Sequence, residues 1–470
     1  MKEKKYLSII IIAVTVPFVI YGTTLILPTF DDWNTLSSPN YDSCWHKYFL
    51  RYGTVWRPFD ALLGYIVSIN YKMFPTLNHL LILVGHLISV FLVFRICNKM
   101  KFSNIATNIA TLFYYFSPCV CGTVFSCDSF NQVYSNLFGL TALWCYLSFE
   151  GKRKYISQIL FIFLAALSKE NGIAWAVVPP LFSFAFNRLD KKTLYKDFSF
   201  GIVIAMMYML IRMSLPRTEI FNPEYSTFIF TKKIKEICTL IGYTWTATDW
   251  ICIMHAPSRN LIIGGLSFLL SLPFVYFLFF RKLKLWCNHT FLLLCACLII
   301  VLSPNLLITL SVMNAYAGLS MSAIIIGYII NSYQDDTKYL SMAFYLFLAI
   351  SVFTDIHHWY KSWQTSLTGK EMALETVRKT GKPVNKVYCI IIKNDEKKFS
   401  SFCVLPEDAF GWGQAVCYET GYKWPKEINN IVIPRNIDSE KTALQMAHIA
   451  IDKGYDCTWI VNKNKVEVVR

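Results

Sequence analysis

Long apolar runs alternate with short polar loops from Leu7 to about residue 356. About 20 apolar residues are enough to carry a helix across the hydrocarbon core of a bilayer. The pattern therefore predicts about eleven transmembrane helices, although several runs are shorter than a full span and have less sharply defined ends. The predicted stretches are Leu7–Leu27, 78–97, 104–117, 131–149, 156–168, 171–187, 198–215, 261–280, 290–307, 315–331 and 338–354.

The composition agrees with this pattern. Hydrophobic residues make up 55% of the 470-residue chain and charged residues only 16%, whereas a soluble globular protein carries about 25% charged residues. This deficit excludes a disordered chain, a fibrous protein and an ordinary cytosolic enzyme. The formal net charge of +15 is typical of basic cytoplasmic loops, so we expect no nucleic acid partner. We also expect a retained first helix and not a signal peptide, because no small-residue cleavage site follows Leu27.

Basic residues are concentrated in every second loop, and this orients the chain. With the N-terminus in the cytoplasm, all basic clusters are cytoplasmic. The loops with Asp31 and Asp128, the turn at Lys169 and the tail after about Asp355 then lie outside. The clusters are Lys2/Lys4/Lys5, Arg95/Lys99/Lys101, Lys152/Arg153/Lys154, Arg188/Lys191/Lys192/Lys196 and Arg281/Lys282/Lys284.

One apolar segment, 237–254, complicates this topology because it follows Lys232, Lys233 and Lys235. If it crossed the membrane, the later loops and the tail would exchange sides. We predict instead an amphipathic segment that lies on the outer surface of the membrane.

Charged residues become frequent from about His357. Here Val387–Lys393 and Asn430–Pro434 predict short strands, Ser439–Lys453 predicts a helix, and Cys457–Val469 predicts a hairpin. The predicted fold class is an all-α polytopic membrane protein with a small C-terminal α+β soluble domain. We divide it into a transmembrane domain, 1–356, and an extracytoplasmic domain, 357–470.

An acidic pair, Asp31-Asp32, follows the outer end of the first helix, with Trp33 beside it. At that depth a carboxylate reaches both a lipid phosphate-linked substrate and a hydroxyl group. Repulsion between the two acids raises one pKa towards that of a general base. An isolated acidic pair is more typical of a solvated loop, so the motifs that follow decide between these interpretations.

Those motifs are Arg57-Pro58, then His79 and His86 on one helix face, then Lys169-Glu170-Asn171-Gly172 at a helix end. With the acidic pair, they resemble the GT-C superfamily of membrane glycosyltransferases, which take a sugar from a polyprenyl-phosphate carrier at the outer face. The likeness is to the protein O-mannosyltransferase-like branch and to bacterial enzymes that glycosylate surface glycans or lipids. It covers about the first 190 residues. The Arg-Tyr pair of a late outer loop is absent, since 314–318 contain no Arg.

The resemblance implies an inverting transfer. Asp31 is then the general base on the acceptor hydroxyl, and Asp32 positions the acceptor or the base. Cations must meet the negative charge of the leaving phosphate. The candidates for this role are Arg57, Lys169, Arg212 and Arg259. Glu170 is expected to orient Lys169 or to bind a sugar hydroxyl. The simpler alternative is an exposed Lys169–Glu170 ion pair worth at most ~1 kcal/mol.

The remaining candidates are predicted to bind substrate, and each has a structural alternative. Trp33 and Trp56 suit sugar stacking, but interfacial Trp belts are common in membrane proteins. His79 is also explained as a histidine bonded between helices, and Asp128 as an ordinary loop acid.

No metal site is predicted from the cysteines. Cys119, Cys121 and Cys127 share one outer loop, where a disulfide is possible in an oxidising compartment, but a fourth zinc ligand is not evident. No cofactor is required, because arginine and lysine can stabilise a lipid monophosphate. Binding of a divalent cation by Asp31 and Asp32 is left as an alternative.

The sequence thus predicts an integral membrane glycosyltransferase that transfers a hexosyl group from a polyprenyl-phosphate sugar to a surface glycan, lipid or protein acceptor. We expect it to be embedded in the bacterial inner (plasma) membrane, in contact with membrane lipid. The rivals are a flippase for a lipid-linked saccharide, which should show a repeat and polar residues deep in several helices, a polysaccharide polymerase or ligase, and a non-catalytic scaffold.

Overall fold

The computed structural model describes residues 5–29, 32–33, 36, 51–52, 56–71, 73–74, 76–124, 129–218, 230–248, 258–279, 288–307, 312–332, 337–381, 386–393, 415–416, 428–434 and 437–470. Within these ranges the chain is mainly helical, and most of the apolar stretches predicted from the sequence contain a helix. The stretch 171–187 differs, because it consists of the turn Glu170–Ala176 and a short helix, Val178–Ala185.

Four helices in the described ranges are long and apolar enough to cross a membrane. They are Leu7–Thr24, Leu77–Lys99, Lys191–Ser214 and the apolar part of Lys338–Thr380. The chain is therefore an integral membrane protein. The larger number of spans predicted from the pattern stays a prediction.

The described ranges contain fourteen helices of eight or more residues. In chain order they are α1 (Leu7–Thr24), α2 (Pro58–Asn70), α3 (Leu77–Lys99), α4 (Asn104–Tyr115), α5 (Phe130–Ser148), α6 (Gly151–Ser168), α7 (Val178–Ala185), α8 (Lys191–Ser214), α9 (Phe230–Thr246), α10 (Ser258–Phe279), α11 (His289–Leu302), α12 (Ala315–Asn331), α13 (Thr337–Thr380) and α14 (Ser439–Asp452). Helical turns at Pro118–Val120, Cys121–Val124, Glu170–Ala176, Ser303–Leu307 and Val312–Asn314 lie between them.

The connections bring several helix ends to one end of the bundle. α5 and α6 pack against each other as an antiparallel pair, and α2 packs against both. After the turn at Glu170–Ala176 the chain returns through α7 and rises again as α8. As a result, the start of α2, the start of α5 and the ends of α6 and α8 lie together. A parallel bridge between β1 (Arg51–Tyr52) and β2 (Arg217–Thr218) also joins the chain before α2 to the chain after α8.

Helix α9 covers part of the segment predicted to lie on the outer surface. It begins at Phe230, earlier than predicted, and it packs against α12 and α10. Leu240, Tyr243 and Trp245 on this helix are buried. Residues 249–257 fall outside the described ranges, so the surface position of 237–254 stays a prediction.

Helix α13 continues well beyond the bundle. It has 44 residues, and at 1.5 Å per residue it is about 66 Å long, roughly twice the thickness of a bilayer's hydrocarbon core. It is fastened to the end of α1 by a hydrogen bond from Trp359 Nε1 to the Gly22 carbonyl (2.7 Å) and one from the Leu27 amide to Ser366 Oγ (3.1 Å). The predicted domain boundary at 356/357 falls inside this continuous helix, and the division into domains stays a prediction.

The end of α13 leads to a four-stranded sheet of order β4-β3-β5-β6. The strands are β3 (Val387–Lys393), β4 (Ile428–Pro434), β5 (Cys457–Asn462) and β6 (Lys465–Val469). β3 pairs in parallel with β4 and β5, and β5 and β6 form the predicted hairpin. One face packs its isoleucines against α14, and on the other face Trp459 Nε1 donates to Thr380 Oγ1 of α13 (3.0 Å).

A buried carboxylate ties α5, α6 and α8 together at the end of the bundle opposite to the helix ends described above. Asp197 accepts hydrogen bonds from Lys154 Nζ (2.7 Å), the Tyr155 hydroxyl (2.8 Å) and the Tyr146 hydroxyl. Its side chain is 1% exposed. Since a buried carboxylate is costly unless it is paired and hydrogen-bonded, these donors keep the three helices in register.

We expect Asp197→Ala to destabilise the protein, because it leaves the largely buried Lys154 ammonium without its counter-ion. Removing one partner of a buried pair costs about 3–5 kcal/mol, which would appear as a lower midpoint of thermal unfolding in detergent. The double variant Asp197→Ala/Lys154→Met should recover part of the loss. Lys192→Ala, exposed in the first turn of the same helix, is the matched control and should have a much smaller effect. An unchanged midpoint for Asp197→Ala would contradict this role.

Candidate functional site

Four of the charged residues predicted from the sequence come together where helix ends meet. Arg57 immediately precedes α2, whose first residue is Pro58. Lys169 is extended (φ −154°, ψ 141°) and ends α6, and Glu170 opens the turn Glu170–Ala176. Arg212 lies in the last turn of α8.

The Arg57–Glu170 ion pair is the central contact of this cluster. The Arg57 Nε donates to both carboxylate oxygens of Glu170 (3.2 and 3.0 Å), and the terminal nitrogen Nη2 lies 3.0 Å from Oε2. The backbone N–H of Trp56 donates to Oε1 (3.1 Å). Both side chains are mostly buried.

Among the described side chains, positive charges outnumber the single carboxylate of this cluster. Burial raises the pKa of the Glu170 carboxyl, but neighbouring positive charges lower it further, so that the pKa lies below its ordinary value overall. The charge of Arg57 has the largest of these lowering effects, and Arg212 and Lys169 add to it. Glu170 is therefore ionised at neutral pH, and one carboxylate faces three cations. Such an arrangement favours a second anion.

Arg212 has a hydrogen-bond donor that is available to such an anion. Its Nε is buried and has no hydrogen-bond partner among the described residues. Beside it, the ring of Trp56 stacks on Tyr208, with centroids 6.0 Å apart and planes 24° apart. The Tyr208 hydroxyl donates to the Ala166 carbonyl of α6 (3.0 Å), so α8 is held directly against the helix that carries Lys169.

The turn Glu170–Ala176 fits between its neighbours only because of glycines. A Cβ on Gly172 would collide with the Ala165 carbonyl and lie 2.7 Å from Ser135 Oγ. A Cβ on Gly201 of α8 would collide with the Ala176 carbonyl. The Gly of the Lys-Glu-Asn-Gly motif therefore permits a close approach of two backbone segments. This approach fixes the position of Glu170 relative to the end of α6.

The acidic part of the predicted site is only partly described. Asp31 and Asp128 lie outside the described residues, and for Arg259 the backbone at the start of α10 is described but the side chain is not. Asp32 is buried and accepts the backbone N–H of Thr29 (2.9 Å), and Trp33 is buried beside it. The catalytic roles of Asp31 and Asp32 stay predictions.

His79 and His86 are both buried in α3. The two ring nitrogens of His79 lie 3.1 Å from the carbonyl oxygens of Val124 and Ile26. This geometry favours the interhelical alternative, since both nitrogens already face protein acceptors. His86 Nδ1 lies 3.0 Å from the Tyr316 hydroxyl, in a hydrogen-bonded group deep in the bundle.

The sequence analysis missed several polar residues near the cluster. Asp60 lies one turn into α2 after Arg57, and Asn131 Nδ2 approaches its Oδ2 at 3.5 Å. Gln132 Nε2 donates to Asn314 Oδ1 (3.0 Å), and Ser135 Oγ donates to Asn171 Oδ1 (3.3 Å). The available signal was a run of polar residues at the start of an otherwise apolar helix.

No group of three or more His, Cys, Asp and Glu side chains in the described part of the chain is arranged to hold a metal ion. Asp31 is not in that part, so this finding does not decide whether a divalent cation binds at the acidic pair. Cys121, one of the three outer-loop cysteines, donates its thiol to Asp355 Oδ1 (3.1 Å).

The sequence matches no protein-family model and no curated protein, but the structure resembles solved structures. ArnT from Cupriavidus metallidurans in the apo state matches with a TM-score of 0.50 at 10% identity, over 98% of this chain and 97% of that one. The chain has the GT-C fold. The structure of ArnT bound to undecaprenyl phosphate matches over the same shares, with a TM-score of 0.48 at 11% identity. The oligosaccharyltransferase of Archaeoglobus fulgidus matches over 84% of this chain and 58% of that one, with a TM-score of 0.44 at 15% identity.

The close approach at Gly172 can be tested by adding one methyl group. We expect Gly172→Ala to displace the turn and break the Arg57–Glu170 geometry, with a loss of roughly 1–3 kcal/mol in the free energy of unfolding from overpacking. Gly265→Ala is the matched control, because a Cβ there meets no atom within 4 Å and alanine is the better helix former. Thermal unfolding of both variants in the same detergent is the measurement. Equal midpoints for the two variants would contradict the close-approach argument.

Proposed function

We propose that the chain is a glycosyltransferase that takes a sugar from a polyprenyl-phosphate carrier and transfers it to an acceptor hydroxyl at the outer face of the membrane. The observation that supports this most directly is the cluster of Arg57, Lys169 and Arg212 around a single carboxylate. It lies at the helix ends on the side predicted to be outside, in a chain with the GT-C fold. A lipid phosphate carries negative charge, which these cations would stabilise.

The cations have different roles in this proposal. Arg57 is already held by Glu170 through both of its carboxylate oxygens, so we assign it a positioning role. Lys169 and Arg212 are the phosphate ligands, since the buried Nε of Arg212 has no partner among the described residues. In a mostly buried site their charges act through a low dielectric and stabilise the leaving phosphate strongly.

The proposed reaction is a direct displacement at the anomeric carbon. The acceptor oxygen forms a bond to that carbon while the bond from the carbon to the phosphate oxygen breaks. The proton of the acceptor hydroxyl goes to the carboxylate of Asp31, and the polyprenyl phosphate leaves with its electron pair towards Lys169 and Arg212. A single displacement inverts the anomeric configuration. The donor is a hexosyl polyprenyl phosphate and the acceptor a surface glycan, lipid or protein.

The topology that this reaction needs is part of the proposal. The N-terminus lies in the cytoplasm of a bacterial cell, and the charged cluster and the sheet at the end of α13 lie outside the inner membrane. The alternation of basic loops along the chain supports this orientation.

The base can be tested with Asp31→Asn. Purified protein is supplied with a panel of polyprenyl-phosphate sugars and extracted surface glycans, and release of free polyprenyl phosphate is measured. We expect kcat to fall by about 10²–10⁴-fold, the usual contribution of a general base, with donor binding unchanged. Asp42→Asn, in the same stretch of sequence, is the control and should keep its activity. Full release by Asp31→Asn would remove Asp31 from the mechanism.

The phosphate ligands can be tested by binding. We expect Arg212→Met and Lys169→Met each to weaken undecaprenyl phosphate binding by about 10- to 100-fold, because a hydrogen bond to a charged group contributes about 1.5–3 kcal/mol. Arg188→Met, at the opposite end of the bundle, is the control. If both variants bind as tightly as the wild type, the cluster is not the phosphate site. Carrier movement across vesicles without release would favour a flippase.

A further inference from the structure

The start of α5 carries an unusual concentration of buried polar side chains. Asn131, Gln132, Ser135 and Asn136 are each only 2–3% exposed, although the rest of the helix is largely apolar. An amide that is buried without a hydrogen bond costs free energy. The partners of these side chains therefore indicate what the group is for.

The deeper members are satisfied within the protein. Asn136 donates to the Tyr114 hydroxyl (2.7 Å) and accepts from Ser320 Oγ (2.9 Å). Ser135 Oγ donates to Asn171 Oδ1 (3.3 Å), which places α5 beside the residue that follows Glu170. These contacts join helices and need no ligand.

Gln132 differs from them. Its Nε2 donates to Asn314 Oδ1 (3.0 Å), but its Oε1 is buried and has no hydrogen-bond partner among the described residues. Gln132 lies one turn, about 5 Å, from Ser135 and on the same face of the helix. A buried acceptor without a partner calls for an explanation, and a bound ligand is one of the ordinary explanations.

A second buried group lies against the same turn. Asn305 in Ser303–Leu307 is 2% exposed, and its Nδ2 has no partner within the described part of the chain. Both Ser303–Leu307 and α5 pack against Glu170–Ala176. The two elements that carry the unused acceptor and the unused donor therefore both pack against the turn that carries Glu170. We name Gln132, Asn171, Asn305 and Asn314 the amide cluster.

We propose that the amide cluster binds the hydroxyl groups of the donor's sugar ring, with Gln132 and Asn305 as the residues that distinguish one sugar from another. This inference rests on the proposed function, because it places the sugar next to the phosphate ligands Lys169 and Arg212. A sugar hydroxyl both donates and accepts, so it can donate to Gln132 Oε1 and accept from Asn305 Nδ2. The amides carry no charge, which fits the uncharged polyhydroxyl part of a donor. A site built to hydrogen-bond a hydroxyl strongly rejects an analogue that lacks it.

The experiment measures binding to the full-length protein in nanodiscs with matched probes. The reference probe is the methyl diester of undecaprenyl phosphate, which has the lipid and the phosphodiester charge but no sugar. The test probes are undecaprenyl phosphate linked to glucose, mannose, galactose or N-acetylglucosamine. We expect the wild type to bind at least one of them tenfold or more tighter than the reference. Gln132→Met and Asn305→Leu should each bring that ratio close to one and leave binding of the reference unchanged.

Asn136→Leu is the structural control. It removes a buried amide from the same helix, and it should lower the unfolding midpoint while the sugar-to-reference ratio stays at the wild-type value. If Gln132→Met does not fold, Asn305→Leu on a separate element carries the test. A wild-type ratio near one for every sugar, or a ratio unchanged in both variants, would overturn the amide cluster as the sugar site. If the wild type bound neither the reference nor any sugar-linked probe, the proposed function itself would fail, and this inference with it.

Discussion

The ion pair between Arg57 and Glu170 is the contact on which the rest of the site depends. It joins the start of α2 to the turn after α6, two parts of the chain that are 113 residues apart. Both charges are mostly buried, and neither can be left alone there without a large penalty. Because Glu170 satisfies Arg57, the buried Nε of Arg212, which has no partner among the described residues, remains available to another anion. The pair thus fixes the geometry of the site, and it neutralises one of the three described cations.

Close packing makes this arrangement rigid. Gly172 and Gly201 let the turn Glu170–Ala176 approach the backbones on either side of it, and Tyr208 bonds α8 to α6. The same turn lies against the charged cluster and the amide cluster. A carrier phosphate and its sugar would therefore be positioned by one rigid element. Sites supported in this way hold reacting groups more accurately than sites on free loops.

Much of this arrangement could be predicted from the sequence. The apolar runs located the helices, because burial against lipid and neighbouring helices requires about 20 apolar residues per span. Arg57, Lys169, Glu170 and Arg212 could be grouped because each follows or precedes a helix end on the same side. The partner of Arg57 could not be predicted, since it depends on a tertiary contact. The continuation of α13 through His357 was also missed, because a helix that leaves the membrane changes its composition without breaking. Asn305 gave no signal, since a single amide in an apolar segment has no periodicity, and the polar run that contains Gln132 does not show which of its members lacks a partner.

The central claim is that Lys169 and Arg212 bind a lipid phosphate while Arg57 stays bound to Glu170. An experimental structure of the protein in nanodiscs with undecaprenyl phosphate tests it most directly. The claim predicts phosphate oxygens within hydrogen-bond distance, about 2.7–3.2 Å, of Lys169 Nζ and the Arg212 guanidinium, with the Arg57–Glu170 pair intact. A phosphate bound elsewhere, or one that takes Arg57 away from Glu170, would contradict it.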